Sequence, residues 1–187
     1  MTAWILDDGP LDDLARNVTA EEARTWPKGQ LFIVRQTATD ADGRRLSLTA
    51  DRETPLAVLD IPLESEAANI VYTHLRRQAG GTANLAEHQA IAWILTASID
   101  AVFVTEDKRA ALTALAELGC GRVAHAFDLW LHLADEGMIT FDQLRSLSES
   151  VSRKDQGLPG VALRIRQKLT SASCGTRDED GPSSPAE

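Results

Sequence analysis

The sequence predicts an α/β fold, a three-layer α/β/α domain around a mainly parallel sheet, and three observations lead there. Short apolar runs, several β-branched, recur at residues 4–7, 31–34, 56–61, 101–104 and 121–124 and alternate with longer stretches of helical periodicity. Two of those runs stop at acids, Asp7 and the Glu106-Asp107 pair, as strands do when their carboxyl ends open onto a polar crevice. Finally, 187 residues with 43% hydrophobic and 25% charged side chains suit one domain with a full core.

Along the chain, Trp4 to Asp7 reads as a buried strand ending in an Asp-Gly-Pro turn, with a helix starting near Leu11. Thr19 with Glu22 three residues later has the spacing of a capping box. Leu31 to Val34 is a strand, the polar residues from Asp40 to Thr54 a hairpin or mobile loop, and Leu56 to Ile61 a strand closed by Pro62. Glu66 to Gln78 is an amphipathic helix stopped by Gly80-Gly81. Asn84 to Thr96 is apolar nearly all round, which marks a buried helix. Ala101 to Val104 is a buried strand, and Lys108 to Leu118 a helix closed by Gly119. Gly121 to Ala124 is a short last strand, and helices follow at 127–135 and 140–151, the second capped by Thr140. The expected organisation is a domain over residues 1–150, a helical extension over 151–170, and a disordered acidic Ser/Pro/Gly-rich tail over 171–187.

Bulk properties exclude several function classes. No apolar run reaches the roughly 20 residues of a membrane helix, and the N-terminus lacks the basic start and apolar stretch of a signal peptide, so the expectation is a cytoplasmic protein with no membrane partner. Cys120, expected to be small and buried, and Cys174 are too few for a disulfide framework or zinc site. His74, His88, His125 and His132 lack metal-ligand spacing, and neither a Gly-rich phosphate loop nor a nucleophile elbow is present. The net charge of −9 disfavours tight non-specific binding of nucleic acid, while leaving open brief contact with a phosphodiester through metal ions.

The chemistry-bearing residues are three separated acids. Glu87 shares a helix face with Ile91, Ile94 and Leu95, where an ionised carboxylate needs a partner or a metal. Asp7 and Asp107 stand at strand ends. Each acid also has a structural reading: a first-turn dipole partner or salt bridge for Glu87, turn chemistry for Asp7 and Asp8, a helix cap for Asp107. Carboxylates gathered at strand ends repel unless a cation sits between them, and hard divalent ions such as Mg²⁺ take oxygen ligands.

Ile5-Leu-Asp-Asp-Gly-Pro-Leu11, Asn84-Leu-Ala-Glu-His-Gln-Ala-Ile-Ala92 and Val102-Phe-Val-Thr-Glu-Asp-Lys-Arg-Ala110 resemble, in that order, the three acidic motifs of PIN-domain proteins, small metal-dependent nucleases best known as toxins of bacterial toxin–antitoxin pairs. The resemblance covers residues 4 to about 145, including Gly119-Cys-Gly-Arg-Val and the stretch from Leu129 to Thr140. It implies a ribonuclease whose Asp7, Glu87 and Asp107 hold Mg²⁺ or Mn²⁺, with Asp8, Glu106 or Asp128 completing the shell or orienting water. Lys108 and Arg109 become phosphate contacts, each with the alternative of a solvated helix residue. Thr105 contacts water or phosphate, or only finishes its strand. Implied partners are RNA, an antitoxin presenting a basic side chain, and a second copy in a homodimer.

The chain departs from the family pattern at Asp8, Ala86 and Glu106, and Ala126 stands where a fourth acid or hydroxyl is frequent, with Asp128 two residues on. Asp128 has two readings, metal ligand or favourable charge at its own helix N-terminus. Two alternatives stay open: a catalytically inactive PIN-like binding module, and a response-regulator receiver, which Asp7-Asp8, Asp60 and Thr105 resemble but which gives Glu87 no role.

Overall fold

Five parallel strands form the centre of the molecule in the order β3-β2-β1-β4-β5. A computed structural model of the chain describes residues 2–40, 56–77 and 84–154. The strands are β1 (Ala3–Leu6), β2 (Leu31–Val34), β3 (Leu56–Leu59), β4 (Ala101–Thr105) and β5 (Val123–His125). The helices are α1 (Asp8–Asn17), α2 (Ala20–Ala23), α3 (Arg35–Asp40), α4 (Glu66–Arg77), α5 (Leu85–Thr96), α6 (Lys108–Leu118), α7 (Ala126–Asp135) and α8 (Phe141–Lys154), with a 3₁₀ turn at Cys120–Arg122.

The period of two along the strands divides the core between the sheet faces. Leu6, Leu31, Ile33 and Val104 pack with Leu11 and Leu14 of α1, Trp130 of α7, and Leu144 and Leu147 of α8. Ile5, Val34 and Phe103 point the other way, onto Ile91 and Ile94 of α5 and onto Ala110 and Ala114 of α6. Helix α4 lies outside α5, joined to it through Ala67, Val71 and Ala92. The result is the expected three-layer α/β/α architecture, with a sheet that is wholly parallel.

Helix α8 is stitched to the first helices by polar bonds: Ser150 Oγ donates to Asp13 Oδ1 at 2.9 Å, Ser146 Oγ to Asn17 Oδ1 at 2.6 Å, and Gln143 Nε2 to the Asn17 carbonyl at 3.1 Å. Its capping box, Thr140 with Gln143, bears out Thr140 as the cap. The Thr19–Glu22 box is formed as well. Because α8 continues to Lys154, it crosses the expected boundary at residue 150. The rest of that extension, the acidic tail, Cys174, the Gly80-Gly81 stop and most of the polar stretch from Asp40 to Thr54 fall outside the described residues.

The structure differs from the sequence reading in six places. Asp8-Gly-Pro10 is not a turn but the first turn of α1, a position that tolerates proline because the early N–H groups have no intrahelical partner. Arg35–Asp40 is a helix, and β3 ends at Leu59 rather than Ile61. The last strand is shifted to 123–125, because Cys120–Arg122 winds into a 3₁₀ turn after Gly119, whose φ of +81° favours glycine. Cys120 is consequently exposed rather than buried. Leu95 faces outward, 39% exposed, while Ile91 and Ile94 are fully buried.

Phe103 lies at the centre of β4 and is nearly inaccessible. Phe103→Ala is expected to cost about 3–5 kcal/mol, the range for a buried aromatic truncation. Urea denaturation measures this, and a loss below about 1 kcal/mol would contradict the packing described here.

Candidate functional site at the carboxyl ends of β1 and β4

Register fixes the site. In the β1–β4 ladder Leu6 pairs with Val104, and the Asp7 N–H continues it by donating to the Val104 carbonyl at 3.0 Å. The next residue of each strand therefore stands side by side with its neighbour: Thr105 Oγ1 donates to Asp7 Oδ2 at 2.6 Å. Thr105 also pairs with His125 of β5, which extends the row across the sheet. The strand order reverses between β1 and β4, so Asp7 and Asp107 flank the switch point where open α/β sheets place their ligand crevice.

Each acid is held by local chemistry. Asp7 is the N-cap of α1, its Oδ1 accepting from the Asp8 N–H at 2.9 Å. Asp107 is the N-cap of α6, its Oδ1 accepting from the N–H groups of Arg109 at 2.6 Å and Ala110 at 3.1 Å. Thr105 joins the two, since its hydroxyl oxygen also accepts from the Asp107 N–H at 3.1 Å. Glu87 enters from the first turn of α5 and is only 6% exposed.

The electrostatics tie the three acids together. Burial raises the Asp7 carboxyl above its ordinary value of 3.8, opposed by the bonds from Thr105 and Asp8 and aided by the charges of Asp8 and Asp107. Burial likewise raises Glu87 above 4.5. A hydrogen bond with Thr113 and the charge of Arg109 work against that rise, whereas Asp7 and Asp107 add to it. The Thr113 hydroxyl has one proton to give, and the Arg109 carbonyl competes for it at 3.0 Å. The charge of Asp107 thus reaches both Asp7 and Glu87, and that of Asp7 reaches Glu87, although among the described residues no three His, Cys, Asp or Glu side chains are placed as a group that could hold a metal ion.

The other sequence candidates separate into different surroundings. Asp8 is exposed at the start of α1. Glu106 leans over that first turn: a Cβ added at Gly9 would lie 3.3 Å from Glu106 Oε2, a tight contact from which the carboxylate would have to shift by a few tenths of an ångström. Lys108 and Arg109 are exposed in the first turn of α6, and Arg109 is the one whose charge reaches Glu87. Asp128 accepts from the His125 N–H at 3.3 Å while His125 Nδ1 accepts from the Phe127 N–H at 3.2 Å, a reciprocal cap for α7 that favours the helix reading of that acid.

Asp60, the residue behind the receiver alternative, follows the edge strand β3 and forms a two-pronged ion pair with Arg35 at 2.7 and 2.8 Å. That bond lowers its carboxyl below the ordinary value. A receiver-type sheet runs 2-1-3-4-5, whereas this one runs 3-2-1-4-5 and puts β2 between Asp60 and Asp7. The topology therefore counts against the receiver reading.

Sequence reasoning missed two features. The bridging position of Thr105 depends on the β1–β4 register, and Thr113 has no local motif; its only signal is that it lies one turn after Arg109 on α6. A cleft of about 340 Å³ opens elsewhere, between the β3–α4 connection and the end of α5, lined by residues such as Asp60, Glu66, Trp93 and Thr96. None of the three acids borders it. No family model, curated protein or solved structure matches the chain.

The raised carboxyls carry a stability consequence. A folded-state pKa above the unfolded value means that the unfolded chain gives up its proton first, so stability falls as pH rises from about 4 through the raised value and then levels off. Asparagine can still cap α1. Asp7→Asn is therefore expected to gain stability over the wild type on going from pH 4 to pH 7 in chelator-treated buffer. Denaturant titrations across that window test this, and a difference independent of pH would contradict it. Thr105→Val, which removes a buried hydroxyl from Asp7, is expected to cost about 1–3 kcal/mol in the same assay.

Proposed function

We propose that the chain is a metal-dependent phosphodiesterase acting on RNA, as its resemblance to PIN-domain ribonucleases implies. The observation that carries this reading is the pair Asp7 and Asp107 on either side of the sheet's switch point, with the buried Glu87 close enough to feel the charge of both. The donor set fits a hard divalent cation such as Mg²⁺ or Mn²⁺, which carboxylate oxygens suit and sulfur or nitrogen would not. Asp7, Glu87 and Asp107 would hold it; when bound, such an ion lowers the pKa of water and stabilises charge on a phosphate.

The remaining work falls to the chain. Thr105 keeps the Asp7 carboxylate turned toward β4 and ties the Asp107 backbone to it, so both acids are oriented before any ligand arrives. Arg109 and Lys108, exposed at the first turn of α6, supply positive charge on the side from which a phosphodiester backbone approaches. In an acidic chain of net charge −9, two exposed cations favour single contacts over extended binding. The finer reading, a toxin restrained by a basic antitoxin, rests on the family resemblance alone.

Two experiments test the proposal. Mn²⁺ is expected to raise the melting temperature of the wild type in a concentration-dependent way and to leave that of Asp7→Asn unchanged. Asp107→Asn, which keeps an N-cap side chain on α6, is expected to retain the fold and lose metal-dependent cleavage of single-stranded RNA by at least about 100-fold. Cleavage that persists in Asp107→Asn, or equal Mn²⁺ shifts in wild type and Asp7→Asn, would sink the nuclease reading and leave a binding module in its place.

A further inference from the structure

The cleft of about 340 Å³ where the start of α4 meets the end of α5 has the size of a ligand pocket. Trp93 and Ile99 supply apolar wall, and the half-buried Trp93 ring stacks on Phe32 with centroids 6.3 Å apart and planes inclined by 26°. The ionisable groups of the lining are two carboxylates, Asp60 and Glu66; among the described residues no lysine, arginine or histidine lines it.

The polar atoms of the cleft are unequally satisfied. Ser65 Oγ donates to the Pro62 carbonyl at 2.6 Å and accepts from the Ala68 N–H at 3.1 Å, and Thr96 Oγ1 donates to the Ala92 carbonyl at 3.0 Å. The chain's own guanidinium groups meet two neighbouring acceptors: Arg35 forks onto Asp60, and Arg122 donates to the Ile94 carbonyl at 2.5 Å. Glu66, exposed in the first turn of α4, has no such partner among the described residues. Apolar surface continues past the lining. Leu63, in the β3–α4 connection, is 93% exposed, and Ile99 is 49% exposed.

We propose that this cleft is a docking site for an arginine side chain presented by a partner protein, with the guanidinium on Trp93 and Glu66 and apolar neighbours of that arginine on Leu63 and Ile99. Charge complementarity asks for a cation, since the lining offers carboxylates and a chain of net charge −9 draws basic partners. Arginine suits the walls better than lysine. Its planar, weakly hydrated head stacks on an aromatic ring and bonds a carboxylate with two N–H groups at once, as Arg35 does with Asp60. A free small cation would leave Leu63 and Ile99 bare, whereas a protein segment covers them. None of the acids at the strand ends borders the cleft, so the inference is independent of the nuclease reading.

The probe is the acetylated and amidated peptide Ala-Leu-Arg-Leu-Ala, titrated into the full-length protein and followed by heteronuclear NMR. Saturable shifts are expected at the Trp93 indole N–H and at the Ser98 and Ile99 amides, with a dissociation constant of about 1 mM or tighter. The same peptide with citrulline, a neutral isostere of arginine, is expected to bind at least about 10-fold more weakly, and Glu66→Gln should weaken the arginine peptide to the same degree. Glu66 is exposed, so Glu66→Gln leaves the fold intact, which the rest of the spectrum checks. Asp7→Asn should bind the peptide as the wild type does, which separates the cleft from the acids at the strand ends. Arginine amide binding as tightly as the peptide would overturn the partner protein in favour of a small-molecule site. Absence of saturable shifts at those residues, equal affinity for the citrulline peptide, or affinity unchanged in Glu66→Gln would overturn the inference altogether.

Discussion

The parallel pairing of β1 with β4 is the constraint on which the rest of the structure depends. β1 lies between β2 and β4, so its residues are covered on both faces and both edges. Ile5 goes to one helical layer and Leu6 to the other, which leaves the following residue at the mouth of the sheet. A slip of one residue would exchange the two layers and turn Ile5 toward the pocket for Leu6. The requirement to bury both residues therefore sets the position of Asp7 to within one step, before any functional demand is considered.

Holding acids at that mouth has an electrostatic cost, and the local structure offsets part of it. Helix N-termini carry partial positive charge, and Asp7 and Asp107 each occupy one, accepting from backbone N–H groups. Glu87 lies in the first turn of a third helix, with Arg109 opposing the charge of its acidic neighbours. Capping and the gathering of charge are thus one arrangement: the cap makes the carboxylate tolerable where it is, and the strand end decides where that is. The structural readings of Asp7 and Asp107 are not rivals to the functional one.

Much of this was legible in the sequence because it is local. The strand at residues 31–34, the buried helix from Leu85 and the caps at Thr19, Asp107 and Thr140 follow from periodicity and from side chains bonding their own backbone. Glu87 could be placed in the core from the apolar residues one and two turns later. What escaped was set by pairing across the sheet. Thr105 donates to a residue 98 positions earlier, and no spacing rule encodes a register. The Asp-Gly-Pro segment was misread for a related reason, since turn composition and the first turn of a helix draw on the same residues. The histidines looked scattered because helix packing, rather than sequence spacing, brings His74 to His88.

The span between β1 and β4 has a consequence for how the molecule is made. A contact between residues 98 apart closes a long loop, and its entropy is lost before the contact returns anything. During synthesis the first strand emerges early, yet its neighbour toward the centre of the sheet is absent until about residue 105 has left the ribosome. A nascent chain carries Asp7 well before it carries Thr105 to orient it, and Glu87 before the α6 residues that temper its charge. The acidic mouth is therefore one of the late products of folding, assembled only once most of the domain exists to support it.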